Sequence, residues 1–128
     1  IAVCCPTHSM AGKTVSLSEF VSQPLLFRER NSGAFRAFQS AVSQLGYPIE
    51  PSWESSSQEA ILEAASLNLG VTILPEKLAK KEFSKNQLAQ IHISDFSFQN
   101  TVCLAYHKSK FISPAMQHFI DLVLSIKY

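Results

Sequence analysis

Glycine is scarce in this chain, at 4 of 128 residues. That leaves little material for a loop that cradles phosphate, and no G-x-G-x-x-G, Walker loop or G-x-S-x-G elbow occurs. Cysteine is sparse too: of three, Cys4 and Cys5 are neighbours and Cys103 is the only other partner, which excludes a disulfide framework. A reducing, cytoplasmic compartment is the expectation. The four histidines and three cysteines show no C-x-x-C or H-x-x-x-H spacing, so no metal and no cofactor are expected, and a Cys/His nucleophile has no support. Charge of one sign is also missing. With 11 Lys plus Arg against 10 Asp plus Glu, no whole-chain field concentrates nucleic acid or an anionic membrane, and any DNA contact is expected outside this segment. No apolar run approaches the roughly 18 residues of a membrane span, and no basic secretory lead-in is present.

What is present is an ordinary globular balance, 46% hydrophobic and 16% charged, in a length suited to one domain. The chain opens without Met inside the apolar run Ile1-Ala2-Val3-Cys4-Cys5, which reads as an excerpt from something longer. Short apolar runs then alternate with helical patterns, the signature of an α/β sheet covered on both faces. Residues 1–5 read as a strand, Ser16-x-x-Glu19 as the capping box of a short helix, and Pro24 as its end before a strand over 25–28. Ala34, Phe35, Phe38, Ala41, Val42 and Leu45 recur at helical spacing, with Gly46 as the stop. Residues 49–53 read as a ragged or edge strand, since Pro48 and Pro51 cannot donate to a ladder.

Two overlapping capping boxes, Ser55-x-x-Gln58 and Ser56-x-x-Glu59, predict a helix with the small apolar stripe Ala60, Ile61, Ala64 and Ala65. Asn68 is expected to take the left-handed conformation at its end. Val71 to Leu74 reads as a buried strand closed by Pro75, which suits the first turn of a helix reaching Phe83. In that helix Glu76, Lys77, Lys80, Lys81 and Glu82 read as a solvated face, because acids interleave the lysines. Strands are expected over 88–93 and 101–107, placing all three cysteines in apolar strands as buried, inert thiols. Ser113 and Pro114 then start a last helix with Phe119, Ile120, Val123 and Leu124 on one face.

Chemistry-bearing residues collect at two helix starts: Asn31-Ser32-Gly33 and Glu54-Ser55-Ser56-Ser57, each following a strand. In an α/β sheet such positions lie at the carboxyl ends of strands, where ligands bind and helix N-termini offer free N–H groups to an anion. Plain capping accounts for the same serines, and pattern alone favours it.

The blocks Phe27-Arg28-Glu29-Arg30-Asn31-Ser32-Gly33, Glu54-Ser55-Ser56-Ser57-Gln58-Glu59-Ala60-Ile61 and Leu69-Gly70-Val71-Thr72-Ile73-Leu74-Pro75, in this order and spacing, resemble the effector-binding region of LysR-type transcriptional regulators. Thr7-His8-Ser9-Met10-Ala11 is similar to that family's His-Pro-Leu-Ala stretch near the hinge, and Ser113-Pro114-Ala115 to the start of its final helix. Ser9 stands where proline is usual and Asn68 where glycine is usual; Phe35 replaces a frequent arginine, so no arginine contact is carried over.

The resemblance implies a Rossmann-like mixed sheet with helices on both faces, forming one lobe of a type 2 periplasmic-binding-protein-like fold. Residues 1–108 would be the second effector-binding subdomain, and 109–128 a C-terminal helix that in the family packs on the first. It implies a small-molecule effector, anionic in keeping with the helix starts, held by Ser32, Gly33, Glu54, Ser55 and Ser56, with Thr7 and His8 near the hinge. The implied protein is a homo-oligomer that rearranges on binding effector, meets DNA only through an N-terminal domain outside this chain, does not engage membranes and is not an enzyme. A lobe of a periplasmic-type solute-binding protein is the competing reading, since it shares the architecture.

Overall fold

The computed structural model describes residues 1–30, 32–99 and 103–126. Side-chain alternation along the strands decides its layers. In the first strand, β1 (Ala2–Cys4), Ala2 and Cys4 face one core and Val3 the other, all buried. After β2 (Thr14–Val15) and helix α1 (Leu17–Val21), strand β3 (Leu26–Arg28) repeats the division: Phe27 joins the first core and Leu26 the second. Helix α2 (Gly33–Ser43), strand β4 (Trp53–Ser55), helix α3 (Gln58–Ser66), strand β5 (Thr72–Ile73), helix α4 (Glu76–Ser84), strand β6 (Ala89–Ile93) and helix α5 (Pro114–Ser125) follow.

The first core is filled from α1 by Leu17 and Phe20 and from α2 by Phe35, Phe38 and Val42. Phe38 sits among Phe20, Phe27, Phe96 and Phe98, with ring centroids 5.4 to 6.4 Å apart. The second core takes Ile61, Ala64 and Ala65 from α3 and Ala79 from α4. Small residues on α3 let it lie close to the sheet. The expected α/β architecture with helices on both faces is therefore observed.

The strands run in the order β2-β6-β1-β5, and a parallel bridge between Leu25 and Val71 carries the sheet on into the pair β3-β4. Leu26 N–H donates to Val71 O and Val71 N–H to Pro24 O, both at 2.9 Å, across that seam. β1 is antiparallel to β5 and β6, while β2 is parallel to β6 and β3 to β4. Every strand except β1 thus points the same way, and the sheet has one carboxyl edge. Arg28 and Ser55 end their strands there, Leu74 follows β5 there, and Ile1 lies beside Leu74, whose carbonyl accepts its amine at 2.7 Å.

Several expected elements form as read. Ser16 and Glu19 make the reciprocal capping box of α1, Asn68 and Gly46 turn left-handed at φ 62° and 87°, and Ser113 caps α5 with Pro114 in its first turn. Others shift. The strand expected over 49–53 lies at Trp53–Ser55, because no ladder donor exists at Pro51 and pairing begins only where Ser52 and Trp53 N–H reach Leu25 O, at 2.8 and 3.3 Å. Neither Ser55 nor Ser56 caps α3. Ser57 does, accepting from Ala60 N–H at 3.2 Å, because β4 carries the extended chain through Ser55. Pro75 is the N-cap of α4 and precedes its first turn.

Burial brings further corrections. Leu45 lies beyond the end of α2 and is exposed. Glu82 belongs to no solvated face: it is 5% exposed, and both its carboxylate oxygens accept from Lys85 Nζ, at 2.9 and 3.0 Å. Residues 103–107 form no strand and Cys103 is exposed; Thr101 and Val102 of that expectation lie outside the described residues. In α5 only Ile120 is buried, while Phe119 and Leu124 face solvent. Among the described residues no helix is long and apolar enough to cross a membrane.

Candidate functional site

The parallel pair β3-β4 presents two strand ends and two helix starts at one place. Its register sets Arg28 opposite Ser55, Phe27 opposite Glu54 and Leu26 opposite Trp53. Three residues beyond Glu29, Ser32 caps α2 by accepting from Phe35 N–H at 3.3 Å. Two residues beyond β4, Ser57 caps α3. Each helix therefore points its N–H end at the carboxyl edge of the sheet, where the dipoles favour negative charge.

Of the residues expected to form a site, Ser32, Gly33, Glu54, Ser55 and Ser56 are brought to this edge. Ser55 is bound on both sides: its Oγ accepts from Ser57 N–H at 3.1 Å and its carbonyl from Glu29 N–H at 3.2 Å. Ser56 is exposed, and no hydrogen bond of its hydroxyl is seen among the described residues; its carbonyl accepts from Arg28 Nη2 at 3.0 Å. A Cβ on Gly33 would meet nothing within 4 Å, so that glycine keeps open ground beside Ser32.

Thr7 and His8 lie elsewhere. They follow the far end of β1, which runs against its neighbours, so they occupy the amino edge of the sheet. There a turn is closed by His8 N–H to Cys5 O at 3.0 Å and by Met10 N–H to His8 Nδ1 at 3.2 Å. The amino-edge position separates them from the serines by the length of the strands.

Ionic contacts at the carboxyl edge involve residues that motif reading passed over. Arg30 Nε donates to Glu54 Oε1 at 3.0 Å, tying the two loops and raising the already high pKa of the guanidinium, chiefly through that hydrogen bond. Glu59 is held below the ordinary carboxylate range, first by its own main-chain N–H and then by the Ser57 hydroxyl at 2.9 Å. The negative charge of Glu54 is thus met by Arg30 before any ligand arrives. Placing Arg28 opposite Ser55 requires the β3-β4 register, which the sequence gives no means of fixing while β4 is misplaced by several residues.

Grooves formed by the described residues include two, each open to solvent. One, of about 300 Å³, runs between α3 and α4 past Leu62, Glu63, Leu78 and Lys81; the other, of about 260 Å³, lies past Ile1, Ile73, Ile93, Phe96 and Phe98. Ser32, Gly33, Glu54, Ser55 and Ser56 line neither. Their edge is an open wall. No cluster of His, Cys, Asp or Glu suited to a metal occurs among the described residues.

An α/β layer stack with a polar carboxyl edge fits the type 2 periplasmic-binding-like fold. The family model of the LysR substrate binding domain matches residues 1–126, and the chain belongs to that family, the effector-binding domain of LysR-type transcriptional regulators. It is 32% identical over 113 residues to the HTH-type transcriptional activator CmpR of Synechocystis, covering 88% of this chain and 37% of that protein. It is 25% identical over 126 residues to the RuBisCO operon transcriptional regulator of Allochromatium vinosum, covering 98% of this chain and 42% of that one. The chain therefore spans about two fifths of the curated relatives it matches. These relatives are regulators and not enzymes.

Solved structures agree on the fold. The effector binding domain of QuiR in complex with shikimate matches with TM-score 0.79 at 19% identity, over 96% of this chain and 58% of that one. The CcmR regulatory domain of Synechocystis in complex with 2-PG matches with TM-score 0.77 at 20% identity, over 98% and 61%.

Proposed function

We propose that this chain supplies one wall of an effector cleft in a cytoplasmic LysR-type regulator, and that Ser32, Gly33, Glu54, Ser55 and Ser56 face the effector. The observation that carries this reading is the convergence of two strand ends and two helix N-termini on a single open edge, with Ser56 exposed beside them. An open wall binds little alone, since a small molecule needs most of its surface enclosed. The opposite wall would come from a first subdomain, and DNA contact from an N-terminal domain, both outside these residues. Residues 1–108 would form the second subdomain and 109–128 the helix that returns to the first. Effector would then shift the population between two lobe arrangements of a homo-oligomer. Shikimate in one neighbour and 2-PG in another support a small, acidic effector for this chain too.

The reading is tested by calorimetry on the full-length regulator and on this chain. Small organic acids are screened on the full-length protein, and the tightest is then measured on both. Binding at least ten times weaker to this chain, and similar loss in full-length Ser55→Ala plus Ser56→Ala, is expected. Equal affinity for both proteins would remove the need for a second wall. Unchanged affinity in the serine variant would remove these residues from the site.

A further inference from the structure

Over the second core, α3 and α4 each return from a strand of the common direction, so they lie alongside one another with the groove of about 300 Å³ between them. That volume reaches the lower end of the range for small-molecule sites, about 300–1,000 Å³. The floor is apolar: Leu88 is buried, and Leu62 and Leu78 are half-buried.

The walls carry charge of opposite sign. On α3, Glu59 and Glu63 stand one turn apart on the groove side, and on the α4 side Lys81 and Lys85 do the same. Two of these charges are engaged. Lys85 Nζ is taken by both oxygens of the buried Glu82, at 2.9 and 3.0 Å, and Glu59 accepts from the Ser57 hydroxyl at 2.9 Å. Glu63 and Lys81 form no ion pair, with each other or with any other described residue. Gln58, half-buried on the α3 wall, has its Nε2 enclosed without an acceptor among the described residues. The groove therefore sets one open anion, one open cation and one unanswered amide around a leucine floor.

These features exclude most ligand classes. An anion alone meets repulsion from Glu59 and Glu63, and a cation alone meets it from Lys81. A wholly apolar molecule leaves the Gln58 donor unmatched and both open charges stripped of water. A molecule that carries both charges beside an apolar body meets none of these penalties.

We propose that this groove is a second small-molecule site of the chain, apart from the effector wall, and that it takes a zwitterion with an apolar body, the chemistry of an aliphatic amino acid. The carboxylate lies between Lys81 and the Gln58 amide, the ammonium against Glu63, and the side chain on Leu62, Leu78 and Leu88.

The test uses this chain labelled with ¹³C at the leucine methyls and with ¹⁵N, titrated at constant pH and ionic strength with L-leucine, isocaproate, isoamylamine and glycine. Isocaproate lacks the ammonium, isoamylamine the carboxylate and glycine the apolar body. L-leucine is expected to move the Leu62, Leu78 and Leu88 methyls and the Gln58 side-chain amide with one shared Kd, at least ten times below that of any analogue. In Lys81→Glu and in Glu63→Lys, L-leucine should bind at least ten times more weakly while the rest of the spectrum stays as in the parent, both positions being exposed. The two variants should also divide the analogues, with isoamylamine ahead of isocaproate in Lys81→Glu and behind it in Glu63→Lys. Floor methyls or a Gln58 amide that stay still with L-leucine overturn the proposal. So does an analogue that binds as tightly as L-leucine, or a variant that binds L-leucine as the parent does. Ser32, Gly33, Glu54, Ser55 and Ser56 line no part of this groove, so that failure leaves the effector wall in place.

Discussion

Cys4 and Cys103 have the same chemistry and opposite surroundings. Cys4 lies in the central strand with no exposure, and burial first, then the neighbouring Cys5 thiol, pushes its pKa up to about 11. Cys5 is buried as well, with its Sγ 3.1 Å from the Thr7 hydroxyl. Cys103 is exposed. Since the thiolate is the reactive form, one equivalent of a disulfide reagent should react quickly at pH 8 in the folded chain and two only on unfolding. Cys103→Ser should remove the fast equivalent; a fast thiol remaining in that variant would place Cys4 or Cys5 at the surface. At this scale the sequence is a good guide where a residue's own covalent shape decides, as at Asn68 and Gly46, which adopt the left-handed turns their short or absent side chains allow. It is a poor guide where packing decides. Glu82 looks like one more charge on a wet helix, yet it is buried and paired with Lys85, three residues on.

Elements were legible in proportion to how local their causes are. The apolar stripes of α2, short of Leu45, and of α3 and the cap of α5 need only the segment itself, and they form as the spacing requires. β4 needs a partner. Its start is set by where β3 offers a carbonyl past Pro51, and that displacement moves the α3 cap from the expected Ser55 or Ser56 to Ser57. The candidate site was legible as a neighbourhood, since both serine loops fall at strand ends, whereas the placement of Arg28 opposite Ser55 emerges only from the pairing. The seam between the two strand groups is a further non-local feature. Gly70 passes Pro24 so closely that a Cβ would sit 2.2 Å from the Pro24 carbonyl oxygen and 3.0 Å from Leu26 Cγ. Main chain cannot yield there without breaking the bond from Val71 N–H to Pro24 O. Gly70→Ala is expected to destabilise the chain by about 1–3 kcal/mol, the range for overfilled sites, read from the urea midpoint. A midpoint equal to the parent's would show that the seam has slack.

Across the whole molecule, packing divides the chain unevenly. Both cores draw their members from residues up to Phe98, and among the described residues 103–126 only Ile120 is buried. Leu104, Tyr106, Phe111, Phe119, Leu122, Leu124 and Ile126 are all exposed, a concentration of apolar surface on one stretch. Full burial of such side chains contributes roughly 1.5–3 kcal/mol each, so water is not their stable surrounding while any apolar partner is within reach. In the regulator architecture proposed above, that partner is the first subdomain. For this chain alone a second copy is the expected partner. The link from residue 108 to Ser113 is short and exposed, so α5 can reach across to another chain as readily as it lies against its own. Light scattering over a concentration series should therefore show a monomer–dimer equilibrium. Phe119→Lys with Leu124→Glu should shift it to monomer while far-ultraviolet circular dichroism stays the same, because neither side chain packs in either core. Adding the first subdomain to the chain should suppress the dimer as well, by covering the same face. A chain that is monomeric at every concentration, with Phe119 and Leu124 shielded from solvent, would show that α5 folds back on its own sheet.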